Sequence, residues 1–154
     1  MHGYPEFSNE IEEVFGDILE KYNFKNIKSS NTSVIYKSEY CFIGFFTEYS
    51  EFTLLIKQNE KDRWFSPVKY QQIMNPKDFY NIILPKSFTK NLVGLELIRV
   101  NLSIQKAKLL LYGEKFLKGD FLDIAEYYKR DDGINHEIRK KREEFHRKIN
   151  LSRE

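Results

Sequence analysis

Four stretches rich in strand-forming residues, Lys25–Lys28, Thr32–Lys37, Tyr40–Thr47 and Glu51–Lys57, follow one another along the chain. Only Ser29-Ser30-Asn31, Ser38-Glu39 and Glu48-Tyr49-Ser50 separate them. Connections of two or three residues are too short for a crossover, so sequence neighbours must pair antiparallel and the segment must be a meander. The third stretch carries apolar side chains on both parities, Tyr40, Phe42 and Phe46 on one and Cys41, Ile43 and Phe45 on the other. That pattern predicts a central strand covered on both faces. Gly44 in its middle predicts a bulge or a close backbone approach. After the polar loop Gln58–Arg63, Trp64–Tyr70 is expected to return as a fifth strand, which Pro67 would confine to an edge.

Helical periodicity flanks this block. Ile11, Val14, Phe15, Ile18, Leu19 and Tyr22 make one apolar stripe, which predicts a helix over 8–22 capped by Ser8 or Asn9 and ended by Asn23. Asn75-Pro76-Lys77-Asp78 reads as a helix start leading into Phe79, Ile82 and Ile83, with Pro85 as its stop. Leu95–Leu117 is long, free of Pro and dense in Leu and Ile, so it predicts a mostly buried helix ended by Gly119. Asp120 is expected to cap a further helix through Tyr128, closed by Asp131-Asp132-Gly133. A last helix follows, with Ile134, Ile138, Phe145 and Ile149 in a narrow stripe suited to docking on the body or on a partner. The order predicts an α+β fold: an N-terminal helix, a four- to five-stranded antiparallel meander over 25–70, then a C-terminal cluster of about four helices over 76–150.

The chain has 154 residues, 41% apolar and 31% charged, a size and composition suited to a single globular domain spanning 1–154. Its longest uncharged apolar run, Tyr40–Thr47, is far short of the ~20 residues of a membrane helix, so no membrane association is expected. The start Met1-His2-Gly3-Tyr4-Pro5-Glu6 lacks the pattern of a signal peptide, and the single cysteine, Cys41, fits a reducing compartment; the expected location is cytoplasmic.

Charge is nearly balanced, 25 Lys+Arg against 23 Asp+Glu, but polarised. Six acids and no base lie between Glu6 and Glu20, while Arg139-Lys140-Lys141-Arg142 and then Arg147, Lys148 and Arg153 mark the end of the chain. Glu143 and Glu144 interrupt that basic run and would repel phosphate, which argues against nucleic acid.

No residue cluster identifies a reaction. The seven glycines are not spaced for a phosphate loop or a dinucleotide fingerprint, and no Ser sits in a Gly-x-Ser-x-Gly elbow. Cys41 falls within a strand, where a buried structural thiol is expected rather than a nucleophile. His136 and His146 stand about 15 Å apart along a helix and cannot share a metal within it. Glu143 and His146 form a Glu-x-x-His pair, but a di-metal bundle needs a second copy of that pair, which is absent from the sequence. No cofactor, no metal and no catalytic residue is therefore assigned. Carboxylates such as Glu48 with Glu51, or Asp131 with Asp132, would form an enzyme site only if the fold assembled one.

Tyr22-Asn23-Phe24 leading to Val34-Ile35-Tyr36-Lys37-Ser38 and then successive aromatic strands gives the first half its character. Ala107-Lys108-Leu109-Leu110-Leu111-Tyr112-Gly113 through Phe116-Leu117-Lys118-Gly119-Asp120-Phe121 gives the second half a helix, Leu-x-Gly-Asp, helix ending. Over most of its length the chain thereby resembles small bacterial α+β immunity proteins of polymorphic-toxin and contact-dependent inhibition systems, and related domains of unknown function. The resemblance implies a mode of action, the binding and blocking of one cognate toxin, and no catalytic residues to carry over. The chain departs from the strongly acidic character common among immunity proteins to nucleases. Either its acidic N-terminal helix makes the contact or the toxin is no nuclease.

The expected function is thus non-enzymatic binding of a protein partner, a cognate toxin. Its surface is sought on the acidic helix face (Glu12, Glu13, Asp17, Glu20) or at Arg63 and Trp64, because Arg and Trp dominate interface hot spots. The competing reading of Trp64 is that it closes the sheet's core. A small enzyme, a nucleic-acid binder using the basic C-terminal helix, and a homodimer seamed by that helix are the rival readings.

Overall fold

The computed structural model describes residues 7–48, 51–80 and 94–152. It is α+β: helix α1 (Phe7–Lys21), strands β1 (Lys25–Ser29), β2 (Ser33–Lys37), β3 (Phe42–Glu48) and β4 (Glu51–Lys57), then helices α2 (Pro67–Met74), α3 (Gly94–Tyr112), α4 (Glu114–Leu117) and α5 (Ile124–Ser152). The strands form one antiparallel sheet in sequence order, as the short connections require. Two compact units divide the chain, the first ending at Phe121 and the second beginning at Leu122.

In the first unit α1 lays its stripe on the sheet, burying Ile11, Phe15, Ile18 and Leu19. Phe15 meets Phe45 edge-on at 4.7 Å, and Phe7 lies 5.8 Å from Phe52. The helix already runs at Phe7, so Ser8 and Asn9 lie inside its first turn and neither is the cap. It ends at Asn23, whose φ of 56° turns the chain left-handed while Phe24 N–H donates to the Leu19 carbonyl at 2.8 Å. Residues paired across the strands share a face, so Val34, Tyr36, Ile43, Phe45, Leu54 and Ile56, all buried, form the core layer beneath α1. Helix α3 packs against α1, α2 and β4, burying Ile98, Leu102, Leu109 and Tyr112. Contrary to a mostly buried helix, Leu110 and Leu111 are exposed, and the helix ends at Tyr112, with Gly113 beginning a separate short turn.

The fifth strand is replaced by one bridge and a helix. Phe65 pairs with Ile56 through two backbone hydrogen bonds of 2.8 and 2.9 Å, after which Ser66 accepts from Lys69 N–H as an N-cap and Pro67 opens α2. Pro67 breaks the strand because its fixed φ suits a first helical position. Phe65 joins Tyr70, Phe116 and Phe121 in an aromatic cluster with ring separations of 4.9 to 6.4 Å. The expected bulge at Gly44 is absent: the register there is regular, and the irregularity lies between Asn26 and Lys28 on the exposed edge strand β1. Asn75-Pro76-Lys77-Asp78 makes a single 3-10 turn, and the helix expected at Ile82 and Ile83 lies outside the described residues.

In the second unit the two expected helices are one. Helix α5 begins at Ile124, so Asp120 does not cap it, and it runs 29 residues through Asp131-Asp132-Gly133. A glycine costs a helix only about 1 kcal/mol, which the turns on either side override.

Candidate functional site

The bridge that replaces the fifth strand also sets the most distinctive surface of the sheet. Because Phe65 turns toward the core layer, the preceding Trp64 falls on the opposite face, with Phe42, Gly44 and Phe46. Its ring meets Phe46 edge-on at 5.4 Å and rests over Gly44, where an added Cβ would lie 3.0 Å from Trp64 Cη2. The glycine thus provides a close approach, by rings rather than by backbone.

Strand register brings the cations. Lys37 on β2 and Lys57 on β4 pair with Phe42 from its two sides. Their ammonium groups stand 5.3 and 5.1 Å from the Phe42 ring centre, and Lys57 is also 4.7 Å from that of Trp64. Such contacts are worth about 0.5–1 kcal/mol each at an open surface. The turn before Trp64 is fixed by its own hydrogen bonds. Asn59 donates from its backbone and its amide to Asp62 Oδ2 at 3.0 and 3.1 Å, and Lys57 Nζ donates to the Glu60 carbonyl at 2.8 Å. Trp64 is left half-buried, and Arg63 beside it is exposed. It does not close the main core.

The acids of α1 lie across the sheet from this patch. Glu12, Glu13, Asp17 and Glu20 are all exposed, but two of them act inside the fold. Lys106 on α3 reaches both Asp17 oxygens at 2.9 and 3.0 Å, which holds that carboxyl below its ordinary range. Tyr36, buried under α1, has its phenol pushed up to about 12, first by burial and then by the nearby Glu12 charge. Glu10, which no sequence pattern singles out, is the acid most deeply engaged: it is buried and bound by Arg99 at 2.6 Å. The acidic helix face and the Arg63–Trp64 edge are therefore two separate surfaces.

Two other places merit chemistry. Lys115 on α4 donates to the Tyr70 hydroxyl at 2.6 Å and lies over the Tyr70 and Phe116 rings, beside a depression of about 180 Å³ lined also by Gln71, Asn75 and Tyr112. A second hollow, of about 310 Å³, lies between β4 and α3 at Phe52, Thr53, Asn101 and Gln105, where Gln105 donates to the Phe52 carbonyl at 3.0 Å. Burial pushes the Cys41 thiol up to about 11, so it stays protonated and unreactive at neutral pH. His136 and His146 are exposed on α5. Among the described residues no cluster of three His, Cys, Asp or Glu could hold a metal, and no helix is long and apolar enough to cross a membrane.

The fold and this patch define an α+β protein with an aromatic and cationic sheet face. The chain matches no protein-family model, no curated protein and no solved structure.

Proposed function

We propose that the chain is a non-enzymatic protein-binding module that receives its partner on the Trp64 face of the sheet. The partner would be a toxin, blocked as the immunity proteins the chain resembles block theirs, and the encounter would take place in the cytosol. One observation carries the choice of surface: a half-exposed Trp is seated on Gly44 and Phe46, with Lys57 over its ring and Lys37 over that of Phe42 on the same face. A pre-positioned aromatic anchor with little rotamer freedom left to lose is the chemistry of an interface hot spot. The two lysines favour a partner with an apolar cleft bordered by carboxylates. On α1, by contrast, Asp17 is held by Lys106 and Glu12 sits by Tyr36, so those acids serve helix packing.

The test is comparative capture from the native host with the tagged full chain and its variants. Trp64→Ala and Lys57→Glu should each weaken recovery of one stoichiometric protein, the former by at least about 30-fold in affinity. Glu13→Lys and Glu20→Lys should leave it unchanged. The captured protein, expressed alone, should arrest growth, and co-expression of this chain should restore it. Capture insensitive to Trp64 and Lys57 would overturn the surface; a partner harmless when expressed alone would overturn the toxin reading. Tight binding of single-stranded oligonucleotides by the same face would overturn both.

A further inference from the structure

Over residues 132–152 of α5 every side chain is exposed except Ile149, which is partly so. That is about 30 Å of open helix. At about 100° per residue, Ile134, Ile138, Phe145 and Ile149 fall within about 60° of one another and make one stripe. The first three are 43%, 43% and 62% exposed.

What borders the stripe says what it meets. Over residues 134–152, every charged side chain within about 80° of its centre is a base, Lys141 and Lys148 on one flank and Arg142 on the other. The acids Glu137, Glu143 and Glu144 all lie farther round. A helical partner would have to bury two of those bases, because steps of four and three from Ile134 give Ile138, Lys141, Phe145, Lys148 and Ser152 as the seam. Nucleic acid would use the bases but leave the stripe in water, and the acids oppose phosphate. An anionic bilayer uses both: the apolar side chains enter the boundary of the acyl chains while the lysine and arginine stems lie along it and carry their charge to the lipid phosphates. Six bases against three acids over residues 134–152 give the charge that such a surface attracts. No helix among the described residues is long and apolar enough to cross a membrane, but lying along one requires no such run. We infer that residues 134–152 of α5 bind the surface of a membrane rich in anionic lipid, with Ile134, Ile138, Phe145 and Ile149 facing the bilayer. This rests on α5 alone and stands or falls independently of the Trp64 surface.

Flotation of the full chain with vesicles of equal parts phosphatidylcholine and phosphatidylglycerol should recover it with the lipid at low salt. High salt should release most of it, and vesicles of phosphatidylcholine alone should recover little. Lys141→Glu combined with Lys148→Glu should lower the partition coefficient by at least about 30-fold, and Phe145→Ser by about tenfold. Lys140→Glu combined with Arg147→Glu makes the same change of charge on the opposite side of the helix, about 10 Å farther from the lipid. That exceeds the Debye length of about 8 Å at physiological salt, so this pair should lower partition by no more than about fivefold. All five residues are exposed, so each variant is compared as a folded chain. No recovery on the anionic vesicles, equal losses from the two charge pairs, or recovery indifferent to Phe145→Ser would each overturn the inference. Binding to heparin or duplex DNA that is tighter than to the vesicles and insensitive to Phe145→Ser would overturn it in favour of nucleic acid.

Discussion

Trp64 rests on Gly44: a Cβ at that glycine would stand 3.0 Å from Trp64 Cη2 and 2.5 Å from Phe46 Cε2. The seat exists because one residue of the central strand has no side chain, so it is removed by a single methyl group. Gly44→Ala should push the Phe46 ring aside and lift Trp64 outward. The chain has one tryptophan, so its emission should shift to the red, and partner capture should fall even though no contacting side chain has changed. Unchanged emission would mean that the rings accommodate the methyl in place.

Arg99 and Glu10 form the second linkage on which the fold depends. Arg99 donates from Nε to Glu10 Oε2 at 2.6 Å and from Nη2 to Oε1 at 3.3 Å, joining α3 to α1, and the carboxylate is buried although the guanidinium is largely open. Removing the arginine leaves an uncompensated buried carboxylate, whereas removing both groups leaves only an apolar gap. Arg99→Ala should therefore lower the urea midpoint by more than Arg99→Ala combined with Glu10→Leu. Equal losses in the single and double variants would show that the pair holds no desolvated charge.

How much of the fold is legible in the sequence depends on whether the deciding interaction is local. The stripe from Ile11 to Tyr22 and the two- and three-residue strand connections define α1 and the meander without reference to anything distant. Ser66-Pro67 misleads because the β-rich Trp64-Phe65 before it suggests a continuing strand, although a Ser followed by Pro equally marks a helix start. Asp131-Asp132-Gly133 has the composition of a terminator, yet the helix runs through it. Of the site, residue type alone picks out Arg63 and Trp64. Lys37, Lys57, Phe42 and Phe46 join them only through cross-strand register, which no local pattern shows. Glu10 carries no local signal because its partner is 89 residues away.

Alkaline pH should unfold the chain earlier than its ordinary groups alone would. Burial first, opposed by the Ser38 hydroxyl, raises the Cys41 thiol from 9.0 to about 11. Burial and the Glu12 charge raise the Tyr36 phenol from 10.0 to about 12. For both, the folded state holds its proton more tightly than the unfolded state. The stability they contribute is full below pH 9, declines between 9 and 11 through Cys41, and declines further between 10 and 12 through Tyr36. Urea midpoints measured from pH 7 to 11 should be flat and then fall. Cys41→Val should remove the first part of the fall, and a profile that drops equally in that variant would exclude the thiol as its cause.

Two glycines should respond to alanine in opposite directions. Gly133 lies within α5, where an added methyl would meet no atom within 4 Å beyond the helix's own backbone, and its φ is not positive. Gly133→Ala should raise stability by about 0.5–1 kcal/mol through the smaller entropy of the unfolded chain. Gly119 has a φ of 92°, and a Cβ there would meet Tyr40 Cδ1 at 2.7 Å. It turns the chain out of α4, where Gly119 N–H donates to the Phe116 carbonyl at 3.0 Å and Asp120 N–H to that of Lys115 at 3.0 Å. Gly119→Ala should cost about 1–3 kcal/mol, from strain at a positive φ together with displacement of the Tyr40 ring. Because the two positions fall in different compact units, thermal melts followed by far-ultraviolet dichroism should separate them. Gly133→Ala should raise the midpoint of the helical signal, whereas Gly119→Ala should lower the midpoint at which tryptophan emission changes. A stabilised Gly119→Ala would mean that the turn after α4 adopts another conformation in solution.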